Sequence, residues 1–196
     1  MVSDTKERIL IIGLKMFSEK GYEGTNLREL LAELGFTKAA FYKHYESKEE
    51  LWNAVIDEMC TYYEENFGSI RNMPTIPRST DELKKLTLKM LNFTMRDEKI
   101  IIMRKLLLTE QFHDERIREL ATEHFNIGLE SMFTVIFEGM IKNGSLKKND
   151  PVMLAFAYTA PISSLIQLCD RDPERYKAVM KKIKSFVEHF ISAYGA

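Results

Sequence analysis

Proline is scarce in this chain, five residues in 196, and glycine is held to nine. Proline inside a helix removes a hydrogen bond and clashes with the preceding turn, so its scarcity leaves long stretches free to be helical. Strand signals are missing: apolar and polar residues nowhere alternate over a strand's length, and there is no internal repeat or low-complexity segment. Cysteine is reduced to Cys60 and Cys169, far apart, which excludes a disulfide framework and reads as two reduced, packed thiols. No apolar run approaches the roughly 18 residues of a membrane span. The longest, such as Ile100-Ile101-Ile102-Met103, stops at Arg104-Lys105, so no membrane partner is expected. The first residues lack the basic segment and apolar core of a secretory leader, and the expected location is the cytoplasm.

An excess of positive charge is also absent. Lys plus Arg total 28 against 29 Asp plus Glu, a formal net charge of -1, so any case for nucleic acid must be local. Enzyme signatures are missing too: there is no phosphate-binding loop and no G-x-S-x-G elbow. Glu110-Gln111-Phe112-His113 matches the Glu-x-x-His element of di-iron bundles, but such a site needs two. The residues three before His44, His124 and His189 are Phe41, Ala121 and Phe186. The expectation is a protein without catalysis, cofactor or metal.

What is present is helical periodicity. Ile9, Ile12, Met16 and Phe17 form one stripe, with Asp4 ahead and Gly21 behind. Asn26 stands three residues before Glu29 as a capping pair, and Leu27, Leu30, Leu31 and Leu34 give a short second helix ending at Gly35. Thr37 caps a third helix through His44, and Ser47-Lys48-Glu49-Glu50 opens a fourth. Pro74 and Pro77 mark a linker at 69–80, and Ser79 caps a helix carrying Leu83, Leu86, Met90, Leu91 and Phe93. A compact helix follows at Ile100–Leu108. Asp114 opens a long helix whose stripe runs from Ile117 to Met140, and Asn143-Gly144 supplies a left-handed stop. Asp150-Pro151 and Asp172-Pro173 each place a carboxylate before a proline that can occupy a first helical position, so two further helices start there. Pro161 interrupts the first of these. The fold class is all-α with about nine helices. The division is an N-terminal helical region at 1–48, a connecting helix near 48–68, the linker at 69–80, and a C-terminal helical region at 81–196.

Two short helices joined by a glycine-bearing turn, Asn26–Leu34 and Lys38–His44, have the lengths of a helix-turn-helix reader of the major groove. The contiguous string from Thr25 to Leu51, TNLRELLAELGFTKAAFYKHYESKEEL, resembles the DNA-binding signature of TetR-family regulators, and Gly13, Phe17 and Gly21-Tyr22 extend the likeness into the first helix. Leu31 departs where the family has a small Ala, which implies a locally rearranged three-helix core; Ala39 stands where the family often has Gly.

Chemistry assigns roles to the matched residues. Thr25, Asn26 and Thr37 stand at helix N-termini, where hydroxyls and free N–H groups can bind phosphate. Small Ala39 and Ala40 allow close approach to the groove floor. Lys38, Lys43 and Lys48 against Glu46 give residues 36–48 a local charge of +2, enough for a few salt-sensitive phosphate contacts. Tyr42 and His44 carry donors that reach phosphates, which the resemblance also implies, and Arg28 is balanced between a groove contact and an ion pair with Glu29 or Glu33. The partner is then double-stranded operator DNA.

The resemblance implies that the C-terminal helices hold a small-molecule effector and form a homodimer through the last two helices. The candidate interface is the stripe Tyr176, Val179, Met180, Ile183, Phe186, Val187 and Phe190. Twelve Phe, eleven Met and eight Tyr suit an adaptable pocket for an apolar or aromatic effector. Candidates are Met90, Phe93, Met103, Phe112, His113, Phe133, Phe137 and Tyr158. The expected function is a ligand-responsive repressor; the competing reading is a helical adaptor without specific DNA binding, favoured by the near-neutral charge alone.

Overall fold

The computed structural model describes residues 2–67 and 75–196, so the first half of the linker expected at 69–80, with Pro74, lies outside the described residues. The described residues form α1 (Val2–Gly24), α2 (Leu27–Leu34), α3 (Lys38–Tyr42), α4 (Lys48–Phe67), α5 (Thr80–Arg96), α6 (Glu98–Glu110), α7 (Glu115–Thr122), α8 (Gly128–Lys142), α9 (Pro151–Arg171) and α10 (Tyr176–Tyr194). A π turn, Glu123–Ile127, joins α7 to α8, so the single long helix expected after Asp114 is present, with one loosened turn inside it.

Two compact units divide the chain, and neither is continuous in sequence. Among the described residues the first comprises 2–67 and 98–121, the second 75–97 and 122–196. The expected division at 69–80 therefore differs from the packing, because α6 lies along α1 in the first unit. Its core gathers Ile9, Phe17, Leu30, Phe41, Leu51, Ile56, Met59, Ile100 and Met103, all fully buried. Leu31 is buried beside them, so the larger side chain is absorbed by the core. Gly13 keeps α1 close to α4: a Cβ there would lie 3.0 Å from Leu51 Cδ2. Trp52 packs edge-on to Phe17 at 5.0 Å, and its Nε1–H donates to Asp114 Oδ2 at 2.9 Å. The other Asp114 oxygen accepts from the Ile117 N–H at 3.0 Å, which caps α7 as expected.

In the second unit, α5, α8, α9 and α10 enclose an aromatic cluster. Tyr158 lies within 4.6 to 5.9 Å, centroid to centroid, of Phe133, Phe137, Phe186 and Phe190. The described end of the linker is pinned to this unit: Pro77 is buried and its carbonyl accepts from Asn143 Nδ2 at 2.9 Å. The stop after α8 is a Schellman pair, Gly144 N–H to the Ile141 carbonyl and Ser145 N–H to the Met140 carbonyl, with Gly144 at φ 77°.

Local start signals were accurate to a residue or two, with exceptions. Asp4 lies inside α1, which begins at Val2. Asp150 caps α9 through the Val152 N–H as expected, but Asp172 opens only the short 3-10 turn Pro173–Arg175, and its carboxylate pairs with Arg175. At Ser47 and Ser79 the serine hydroxyl accepts the N–H of Glu50 and Glu82, while each glutamate reaches back one residue further, to the N–H of Glu46 and Arg78. α9 runs through Pro161, and the helix at 100–108 is longer at both ends.

Candidate nucleic-acid interface

The turn between α2 and α3 follows from two residues. Gly35 takes the left-handed conformation at φ 66°, its N–H bonding the Ala32 carbonyl while the Phe36 N–H bonds that of Leu31. Thr37 then starts α3, its Oγ1 accepting from the Ala40 N–H at 3.2 Å. Phe41 and Tyr45 are buried, 0% and 2% exposed, and fix which side of α3 faces inward. Lys38, Ala39, Tyr42 and Lys43 consequently face outward, with Tyr42 51% exposed despite its ring. α3 ends at Tyr42, two residues before the expected limit, and half-buried His44 sits in the turn after it, its N–H bonded to the Phe41 carbonyl. Arg28 is exposed and carries no ion pair among the described residues; Glu29 is taken by Lys20 at 2.5 Å. Glu29 therefore does not complete a capping box with Asn26, whose Oδ1 accepts from the Arg28 N–H.

Two residues expected at this interface are committed elsewhere. Thr25 is 2% exposed and its hydroxyl donates to the Gly21 carbonyl at 2.7 Å. Lys48 donates to the carbonyls of Tyr22 at 2.8 Å and Thr25 at 3.2 Å and lies 4.0 Å from the centre of the Tyr22 ring. Its ammonium is saturated by one α1–α2 corner, which makes it a clamp. Sequence reasoning missed this because the partners are 23 and 26 residues away.

The C-terminal expectations need larger corrections. Phe112 is 79% exposed and His113 is exposed, so neither lines a cavity here, and Met103 is fully buried in the first unit's core. Phe133, Phe137 and Tyr158 fill space by packing ring on ring, and the Tyr158 hydroxyl is paired with Thr87 Oγ1 at 2.7 Å. Burial pushes the Tyr158 phenol up to about 12, the Thr87 hydrogen bond opposing part of that rise. Met90 and Phe93 are half-buried on α5. Of the interface stripe on α10, Val179, Ile183, Val187 and Phe190 are buried against their own unit and are unavailable to a twin, while Tyr176, Met180 and Phe186 are half-buried. Exposed apolar surface lies instead on α9, where Val152, Met153 and Phe156 are 48%, 56% and 53% exposed. α9 is long and apolar enough, by length and composition alone, to cross a membrane. Among the described residues no group of three His, Cys, Asp or Glu side chains could hold a metal.

Residues 9–55 match the family described as bacterial regulatory proteins, tetR family. The Staphylococcus epidermidis IcaR, the negative transcriptional regulator of the biofilm operon icaADBC, is 34% identical over 58 residues, 30% of this chain and 31% of that protein. The chain is similar in fold to a TetR-family transcriptional regulator from Mesorhizobium loti, TM-score 0.69 and 19% identity, over 99% of this chain and 98% of that one. It is also similar to SmeT, the repressor of the Stenotrophomonas maltophilia multidrug efflux pump SmeDEF, in a complex with triclosan: TM-score 0.70, 18% identity, 98% and 92% coverage. Matches to the first curated relatives are confined to 20%, 31% and 23% of their lengths.

Proposed function

We propose that this chain, whose residues 9–55 belong to the tetR family of bacterial regulatory proteins, is a cytoplasmic, ligand-responsive transcriptional repressor that binds operator DNA as a homodimer. The observation that carries the reading is the outward face of α3. Lys38, Ala39, Tyr42 and Lys43 are exposed together on a helix whose other side is locked by Phe41 and Tyr45. An exposed tyrosine flanked by Lys38 and Lys43, which carry no ion pair among the described residues, on a short, capped helix offers the donors and charge that meet a phosphate backbone. Arg28, Thr37 and His44 stand beside this face as further contacts; Thr25 and Lys48 support it from below.

Two operator half-sites call for a two-fold dimer. The face we assign to it is the outer side of α9, where Met153, Phe156, Ala157, Ala160 and Ser164 are exposed at helical spacing and the small residues permit close helix approach. An effector that prefers the conformer with mis-spaced recognition helices would release DNA, as differential affinity requires. SmeT, in its triclosan complex, shows that a repressor of this fold takes a small molecule.

The deciding experiment is selection of genomic fragments by the purified protein at moderate salt, followed by affinity on the enriched fragment with Tyr42→Ala and Lys43→Gln. An enriched near-palindrome whose binding drops in both variants supports the operator reader. Random, salt-labile binding that neither change affects would instead promote a helical adaptor.

A further inference from the structure

Of the eight residues suggested for an effector pocket, Phe112 and His113 are exposed, while Met103, Phe133, Phe137 and Tyr158 are buried in packed cores. A groove of about 570 Å³ does exist in the second unit, lined by α5 and α10. Its walls are cationic: Arg96 from α5 and Lys177, Lys181 and Lys184 from α10, with no carboxylate among the lining residues. Its floor is apolar, made by Leu88, Met180 and the Tyr176 ring. The nearest acid on α10, Glu188, is already neutralised at one end by Lys84 at 2.7 Å.

The arrangement is organised around Arg96. Its Nε–H donates to the Tyr176 hydroxyl at 3.0 Å, and its guanidinium carbon lies 5.6 Å from that ring's centre. This anchors the Nε edge of the planar fork, and its two terminal nitrogens carry no ion pair among the described residues, so they remain the donors with which a guanidinium grips an oxyanion. Lys177, Lys181 and Lys184 carry no ion pair among the described residues. They recur at i, i+4 and i+7, so they line one side of α10 facing α5, where like charges repel unless an anion sits between them. Four cations over an apolar floor match a molecule with a negative head and a flat, greasy body, and the volume is that of small-molecule sites.

We propose that the groove between α5 and α10 binds a small organic anion with a flat apolar body, and that this is the effector class of the regulator. The second half of the statement rests on the function proposed above; the binding does not.

The test is calorimetric titration of the full chain, without DNA, with 2-naphthyl phosphate, inorganic phosphate and 2-naphthol. Saturable one-site binding of 2-naphthyl phosphate is expected, weakened by about tenfold or more in Arg96→Gln/Lys181→Gln and, separately, in Lys181→Gln/Lys184→Gln, and weakening with salt. Phosphate and naphthol should each bind far more weakly. All three substituted positions are exposed, so the variants should melt with wild type. Absence of saturable binding, wild-type affinity retained in both variants, or phosphate alone binding as well as the naphthyl ester would each overturn the site. Since no DNA is present, failure here leaves operator binding untouched, and failure to find an operator leaves this result standing.

Discussion

The Lys48 ammonium lies 4.0 Å from the centre of the Tyr22 ring while donating to that residue's own carbonyl at 2.8 Å. A side chain at the start of α4 is thereby spent on the corner between α1 and α2, and a charge that looks available to DNA in the sequence is not.

Removing it should act on stability first. Charge-assisted hydrogen bonds and a cation–π contact of this kind are worth about 1–3 kcal/mol together when half-buried. Lys48→Ala is expected to lower the melting temperature by several degrees, on the order of 2–4 °C per kcal/mol for a chain of this size. A melting curve unchanged from wild type, combined with lost DNA affinity, would restore Lys48 to the DNA contacts.

Gly21 is constrained twice. Its φ of 72° belongs to glycine, and a Cβ there would stand 2.6 Å from Glu110 Oε1. Gly21→Ala should cost about 1–3 kcal/mol from the backbone alone. Chemical denaturation of Gly21→Ala, Glu110→Ala and the double variant separates the two effects. Part of the loss should be recovered in the double variant; strict additivity would mean the carboxylate does not matter.

Tyr158 carries a pH dependence whose sign is fixed. Its folded-state phenol is held up to about 12 against an ordinary value of 10.0, so the fold binds the proton more tightly than the unfolded chain does. The stability this contributes is complete below pH 10 and is lost as pH rises toward about 12, an effect of about 2–3 kcal/mol. Tyr158→Phe should flatten that alkaline decline and cost about 1 kcal/mol at neutral pH through the lost contact to Thr87 Oγ1, whose hydroxyl keeps its bond to the Leu83 carbonyl. Denaturation midpoints at several values between pH 8 and 12 read both.

The dimer face can be told from the core by charge insertion. Phe156→Glu and Ala160→Glu on α9 should convert a sedimenting dimer to folded monomer. Ile183→Glu, fully buried on α10, should unfold the second unit. If the α9 variants stay dimeric, the interface lies on another face.

Legibility in the sequence followed the range of the interaction. Asn143-Gly144, Asp114, Asp150 and Gly35 were readable because their partners lie within five residues, where chain geometry leaves few alternatives. Tyr42 was readable through its neighbours Phe41 and Tyr45, which claim the inner side. The place of Lys48 was not legible because the Tyr22–Thr25 corner that engages it belongs to another helix junction, 23 and 26 residues away. The apolar stripe of α10 reported a buried side correctly, but a stripe does not say whether its own chain or a twin does the burying. The groove went unnoticed for a related reason: Arg96 and Tyr176, 80 residues apart, meet only when α5 and α10 pack.

The apolar outer face of α9 has one more consequence. If a second copy covers it and the chain represses from an operator as proposed, operator occupancy rises with the square of free monomer wherever the dimer is scarce, so repression would switch on over a narrower range of protein abundance than a monomer allows. Synthesis rate then becomes a second input beside the effector, and dilution at cell division alone would loosen control.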